Sequence, residues 1–227
     1  MTARPVVNRL LGLAWPVALA RLGIMGMGVV DAIVVGQMAP SELPHQALGW
    51  APTAIFVVSA IGLLTGVQVL AARALGEGQP AHAGAALRHG LVLSLIAGVL
   101  SGLCLWLGGA HLFTAVGIEP ALAVPAARVM RVLAFSIPLH LVYVACAFFL
   151  EAIQRPLAST WVMWIANVVN LGLNLLLVPR YGAVGSAWAT VGARAFLACA
   201  LLCCIVLMRD ATHFGVRGSA APRPAPA

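Results

Sequence analysis

Residues 10–38 read LLGLAWPVALARLGIMGMGVVDAIVVGQM, from Leu10 to Met38, and only Arg21 and Asp31 interrupt the run with charge. A stretch this long, continuously apolar and without period-2 alternation, spells a helix that crosses a membrane; a barrel strand is about half as long and alternates. It is also too long for the apolar core of a cleavable signal and has no convincing small-x-small cleavage site. Five more apolar runs follow, over residues 47–72, 87–112, 124–150, 157–178 and 183–208. The expected fold is therefore all-α and integral to the membrane, a bundle of six transmembrane helices over residues 10–208. Residues 1–9 form a short leading segment. Residues 209–227 are a polar, Pro/Ala-rich tail with too little to bury, and disorder is expected there.

Composition excludes the alternatives. Of 227 residues, 62% are hydrophobic and 8% charged, with a mean hydropathy of +1.02, whereas soluble domains carry about a quarter charged residues. At about 20 residues per crossing the length admits about six spans and not twelve. The net charge of +7 comes from 13 basic residues, every one an arginine. Arg4, Arg9, Arg73, Arg88, Arg155, Arg209, Arg217 and Arg223 fall on one side of the expected topology, and the opposite connections hold only Arg180. That asymmetry predicts both termini in the cytoplasm of a bacterial-type inner membrane, and it reads as an orientation signal rather than as nucleic-acid binding.

The remaining motifs read as packing. Gly62-Leu-Leu-Thr-Gly66 and Gly98-Val-Leu-Ser-Gly102 are GxxxG patterns expected at helix contacts. The glycines at 23, 26 and 28 have no preceding strand and no Gly-Lys-Ser/Thr, so they do not form a nucleotide loop. Cys104, Cys146, Cys199, Cys203 and Cys204 lie inside apolar runs and are expected to pack as small apolar residues. Trp15, Trp50, Trp161 and Trp188 fit an aromatic belt. His140 has no His, Cys or carboxylate at metal spacing, so a packing role in a hydrogen bond is expected and no metal site. With only scattered polar residues, no catalytic cluster and no enzyme is expected.

Polar groups at membrane depth carry the functional argument, because an ionisable residue there costs about 2.5–3.5 kcal/mol and needs a partner, a wet cavity or a role. At about 1.5 Å rise per residue, Asp31 lies about 9 Å below the outer end of its span. By the same measure Asn174 and Asn170 lie about 6 and 12 Å below theirs, and Thr190 about 10 Å. Four polar residues on three helices thus share one level, and the two asparagines, four apart, share a face. The asparagines and the threonine can be read as interhelical hydrogen bonds alone. Asp31 shifts the reading: it has no cation on its own face, since Arg21 is about 15 Å away along the helix. Burial and amide hydrogen bonds act on a carboxyl in opposite senses, and a titratable carboxylate facing an outward pocket is what a proton-coupled transporter requires. Arg128 and Arg131 are expected to snorkel or to pair with Glu119. Glu151 and Arg155 are expected to form an interfacial loop pair, while Arg21 has no assigned partner. Pro16 removes an amide from the helix interior, where the helix can bend.

These residues together resemble the amino-terminal six-helix lobe of the multidrug and toxic compound extrusion (MATE) transporters. The resemblance runs over residues 8–208. It rests on Leu-Ala-Trp-Pro16 with Asp31 fifteen residues on, Ala-Ile-Val-Val-Gly36, Gly66-Val-Gln-Val-Leu-Ala-Ala-Arg-Ala-Leu-Gly76, Phe-Leu150-Glu-Ala-Ile-Gln-Arg-Pro156, Asn170-Leu-Gly-Leu-Asn174 and Gly182-Ala-Val-Gly-Ser-Ala-Trp-Ala-Thr190. It implies a secondary antiporter that exports small cationic or amphipathic compounds against inward H+ or Na+, with no other cofactor. In that family the first-helix aspartate carries the proton, which corresponds to Asp31. Its pocket corresponds to Asn170, Asn174 and Thr190, and the bending proline to Pro16. Asn174 stands where some members carry a second carboxylate. The family's cycle uses two six-helix lobes, so a second copy, a separate partner lobe or a truncated product are the expectations, with truncation favoured. A lipid-linked flippase of the same superfamily is the alternative transport reading, and it requires Arg21, Arg128 and Arg131 to face one cavity. An inactive fragment is the remaining one.

Overall fold

The computed structural model describes residues 3–217, with the side chains of residues 3–10 and 13 outside the description. The chain forms α1 (Ala3–Met38), a 3-10 turn (Pro40–Glu42), α2 (Leu43–Gly76), α3 (Pro80–Ala115), α4 (Pro120–Ala152) and α5 (Leu157–Leu207). Prolines open α2, α3 and α4 within their first turns, where a missing amide costs no hydrogen bond. Five of these helices are long and apolar enough to cross a membrane.

The fifth is 51 residues long, about 76 Å if straight, which is more than twice the thickness of a hydrocarbon core. It is not straight. Gly182 breaks it at φ 55°, ψ −136°, a conformation open to glycine and strained for any residue with a Cβ. The two limbs fold back on each other: Gly185 packs on the backbone of Leu177, and Gly192 on the side chain of Leu173. Where the sequence suggests two runs separated by a short connection, the chain turns at a single residue. Glu42 completes the corner from outside, its Oε2 accepting the amide of Ala183 at 2.7 Å and so supplying the cap that the second limb lacks locally.

Helix α4 is the axis of the bundle, packed by α2, α3 and α5. Residues 140–150 are buried without interruption, as expected of a helix apolar on every face. Gly98 and Gly102 let α3 approach it: a methyl group at Gly98 would overlap the backbone of Pro138, and one at Gly102 would lie 2.8 Å from the carbonyl oxygen of Ala134. The other GxxxG pattern is different. Gly62 and Gly66 face open space with nothing within 4 Å, so that motif does not mark a contact within the chain. Cys146 is buried, while Cys104, Cys199, Cys203 and Cys204 are exposed on the apolar exterior. They read as apolar outside residues rather than core packing, because a membrane surface tolerates an outward cysteine as readily as an inward one.

The tail also departs from expectation. Residues 209–217 form consecutive turns, pinned by Arg155–Asp210 at 2.6 Å, by Arg217 donating to the carbonyl of Val206 at 2.7 Å and by Arg88 donating to the carbonyl of Gly215. Phe214 is the physical reason: it is buried edge-on against Phe149, so the segment carries an apolar anchor that its polar composition hides. The Pro/Ala-rich residues 218–227 lie outside the described residues.

Candidate functional site

Helix α1 leans mainly on α5 and scarcely touches α2. The α1–α5 seam is polar and periodic. Thr160 donates to the carbonyl of Pro16 at 2.8 Å, Asn167 to the carbonyl of Gly23 at 3.1 Å, and Asn174 to Oδ1 of Asp31 at 2.7 Å. Steps of seven on α5 answer steps of seven and eight on α1, the register of two parallel helices packed side by side. Gly23 allows the approach, since a side chain there would run into Met163. Helix α1 runs through Pro16 without interruption.

The uppermost rung is the candidate site. Asp31 is fully buried. Asn174 holds Oδ1, and Thr190 donates to Oδ2 at 2.8 Å from the second limb. Because Gly182 folds α5 into a hairpin, two residues sixteen positions apart on one assigned helix reach the same carboxylate from two sides. Thr190 also lies 3.1 Å from the carbonyl of Ser186, and Asn174 donates to the carbonyl of Asn170 at 3.0 Å. Asn170 faces Asp31 as a third side chain, yet both its amide atoms lack a hydrogen-bond partner at normal geometry, as does Oδ1 of Asn174. Asp31, Asn170, Asn174 and Thr190 are thus brought together, and Pro16 lies about four turns from Asp31 on the same seam.

Other polar residues lie differently from expectation. Arg21 pairs with Glu151 at 3.3 Å and lies over the ring of Phe148, while Gln68 donates to the other oxygen of Glu151 at 3.2 Å. Arg155 therefore pairs with Asp210 rather than Glu151, since the turn after α4 points it toward the tail. Arg131 donates to the carbonyl of Trp106 and covers its ring. Arg128 lines an outer groove with Glu42, His45 and Tyr181. Neither arginine forms an ion pair with Glu119 among the described residues; both turn toward neighbouring helices instead. His140 is buried with Nδ1 unpartnered, so the hydrogen bond expected of a packing histidine is missing at that atom. Trp15, Trp161 and Trp188 face outward, but Trp50 turns inward under the guanidinium of Arg194, 5.1 Å from its ring centre.

Between α1 and α2 opens a cavity of about 310 Å3, closed behind by α4 and α5. Met25, Met27, Trp50, Val57 and Met163 make it apolar, and His140 and Arg194 are its polar residues. Sequence reasoning gave Arg194 no role. Its signal was its depth in the sixth apolar run, one helical turn beyond Thr190 on the same face.

The chain is thus a helical, multi-pass membrane protein with a buried carboxylate and an apolar cavity between its helices. The MatE family model matches residues 16–176, and the chain belongs to that family. It is 46% identical over 213 residues to the probable multidrug resistance protein NorM of Caulobacter vibrioides, covering 91% of this chain and 45% of that protein. It is 28% identical to the multidrug resistance protein PmpM of Pseudomonas aeruginosa, covering 82% of this chain and 40% of that protein. Among solved structures, the eukaryotic MATE transporter AtDTX14 superposes with a TM-score of 0.85 at 17% identity, over 95% of this chain and 48% of that one. A MATE structure in a bent conformation superposes at 0.81 with 21% identity, over 89% and 46%. These likenesses show the fold. The chain spans about half the length of the curated relatives it matches.

Proposed function

We propose that the chain is the proton-carrying lobe of a secondary antiporter that exports small amphipathic or cationic compounds. Transport rather than catalysis is its activity. Its helices make six crossings with both termini in the cytoplasm, the α5 hairpin providing two of them. The observation that carries the reading is the set of bonds around Asp31. A proton on Oδ2 would donate to Oγ1 of Thr190, whose own hydrogen turns to the Ser186 carbonyl, already 3.1 Å away. Asn174 meanwhile keeps Oδ1. A hydroxyl both donates and accepts, so the carboxylate can gain or lose a proton without any buried group losing its partner. The charge of Asp31 then changes on α1, a helix packed mainly against α5, which is where a small electrostatic change can shift packing.

A second half is needed for alternating access, supplied by a second lobe, on a separate partner or by another copy of this chain. The flippase reading has less support: Arg21, Arg128 and Arg131 meet three different partners, and none lines the central cavity. Sodium coupling draws support from the unpartnered amide oxygens of Asn170 and Asn174, because a sodium ion takes oxygen ligands. In the active assembly, efflux of an amphipathic cation driven by a pH gradient at fixed sodium tests the proposal. Asp31→Asn should abolish efflux and leave membrane insertion intact. Unchanged efflux in that variant contradicts the proposal, and efflux that follows only a sodium gradient favours the second reading.

A further inference from the structure

The contact between α3 and α4 leaves a groove on the outside of the bundle. Gly98 and Gly102 bring α3 onto the backbone of Pro138 and Ala134. Because these glycines carry no side chains, the seam above them stays open as an apolar cleft of about 350 Å3. Its walls are Val99, Leu103 and Trp106 from α3 and Phe135 from α4. Both aromatic walls are braced: Phe135 stacks on Trp188 with ring centres 6.3 Å apart, and Trp106 lies under the guanidinium of Arg131. From Gly98 to Trp106 the cleft follows α3 for about 12 Å. Between Arg131 and His140, α4 makes about two and a half turns, so this groove and the central cavity lie on opposite faces of α4. A second half that completes the central cavity therefore leaves the groove facing lipid.

One end of the groove carries a fixed positive charge. Gly109 breaks α3 at φ 49°, ψ −137°, and a side chain there would run into the guanidinium of Arg131, so the break makes room for that group. Nε of Arg131 donates to the carbonyl of Trp106 at 3.3 Å, which tethers the side chain, yet the residue stays exposed. No carboxylate pairs with it among the described residues. An apolar cleft open to hydrocarbon, ending at a tethered guanidinium without a counter-ion, complements a lipid tail joined to an anionic headgroup. The terminal N–H groups of the fork suit phosphate oxygens. A zwitterionic lipid is a poorer match, because its ammonium group repels the same arginine. We propose that the α3–α4 groove binds an anionic phospholipid, with one acyl chain in the cleft and the phosphate on Arg131. The site rests on the membrane-spanning fold and not on the transport reading, so a failure of proton coupling would leave it standing.

The test uses the full chain in phosphatidylcholine nanodiscs that hold a trace of a photoreactive lipid. The two probes are phosphatidylglycerol and phosphatidylcholine with the same diazirine-bearing acyl chain, and labelled peptides are located by mass spectrometry. Phosphatidylglycerol should label the groove about fivefold more than phosphatidylcholine, the weight of one arginine near an anionic lipid surface. Arg131→Gln should bring the two probes within about twofold by lowering phosphatidylglycerol labelling alone. Val99 is 56% exposed, so Val99→Trp fills the groove without entering the core, and it should lower groove labelling by both probes. Equal labelling in the unaltered protein overturns the proposal. So does a phosphatidylglycerol preference that survives Arg131→Gln, or an equal fall of both probes in that variant, which would make Arg131 a structural residue. Groove labelling that survives Val99→Trp, or groove residues that crosslink to a second copy of the chain in place of lipid, overturns it as well.

Discussion

Helix α1 meets two carboxylates, its own fully buried Asp31 and the half-buried Glu151 of α4, which Arg21 reaches from the middle of α1, and they are held in opposite ways. Asp31 accepts from an amide and a hydroxyl, both neutral. Glu151 accepts from the guanidinium of Arg21 and the amide of Gln68, so its charge is matched by a fixed opposite charge. The hydroxyl at Asp31 can reverse its hydrogen bond; the guanidinium at Glu151 cannot, because it only donates. The first arrangement suits a carboxylate that changes its protonation, and the second suits one that stays ionised and ties α1 to α2 and α4. On the proposed reading Asp31 is the switch on α1, and the Arg21–Glu151 pair is its anchor.

Exchanging the two roles by mutation gives the largest expected effect. Asp31→Asn should reduce pH-driven efflux to background, while Glu151→Gln should leave most of it, measured side by side in the active assembly. Thr190→Val removes the reversible hydroxyl but keeps the volume, and a drop of about tenfold in transport rate is expected, the value of one hydrogen bond to a charged group. Thr190→Ser should restore most of the rate; failure of serine to rescue would mean that the methyl group, not the hydroxyl, matters. Glu151→Gln leaves Arg21 without a counter-charge, but the arginine is 37% exposed, so a loss of only about 1 kcal/mol is expected, read as a lower melting temperature in detergent. The smallest effect belongs to the lower seam: Thr160→Val and Asn167→Leu should each cost about 0.6 kcal/mol or less, typical of hydrogen bonds between membrane helices.

The two carboxylates also differed in how far they could be read from sequence. Asp31, Asn174 and Thr190 could be brought to one level because depth along a helix follows directly from residue count. The Arg21–Glu151 contact was missed because a long side chain reaches away from its own Cα level, and residue counting places only the backbone. Gln68, a lone amide near the inner end of an apolar run, was the available signal. Arg194 was missed for another reason: whether it faces lipid, Ser136 or a cavity depends on the rotation of the second α5 limb, which the Gly182 corner sets. Phe214 escaped notice because a single aromatic in a polar segment leaves no periodic pattern. The six apolar runs were legible because each is long and uniform, although the sequence did not reveal that the last two join at one residue.

Infrared titration of the purified chain in a bilayer measures the switch directly, through the carbonyl stretch of a protonated carboxyl group. The component from a carboxyl shielded from water should grow on acidification in the unaltered protein and in Glu151→Gln, and that component, unlike the one from the exposed carboxyls, should vanish in Asp31→Asn. A titrating band that persists in Asp31→Asn and disappears in Glu151→Gln would contradict the assignment of the two carboxylates.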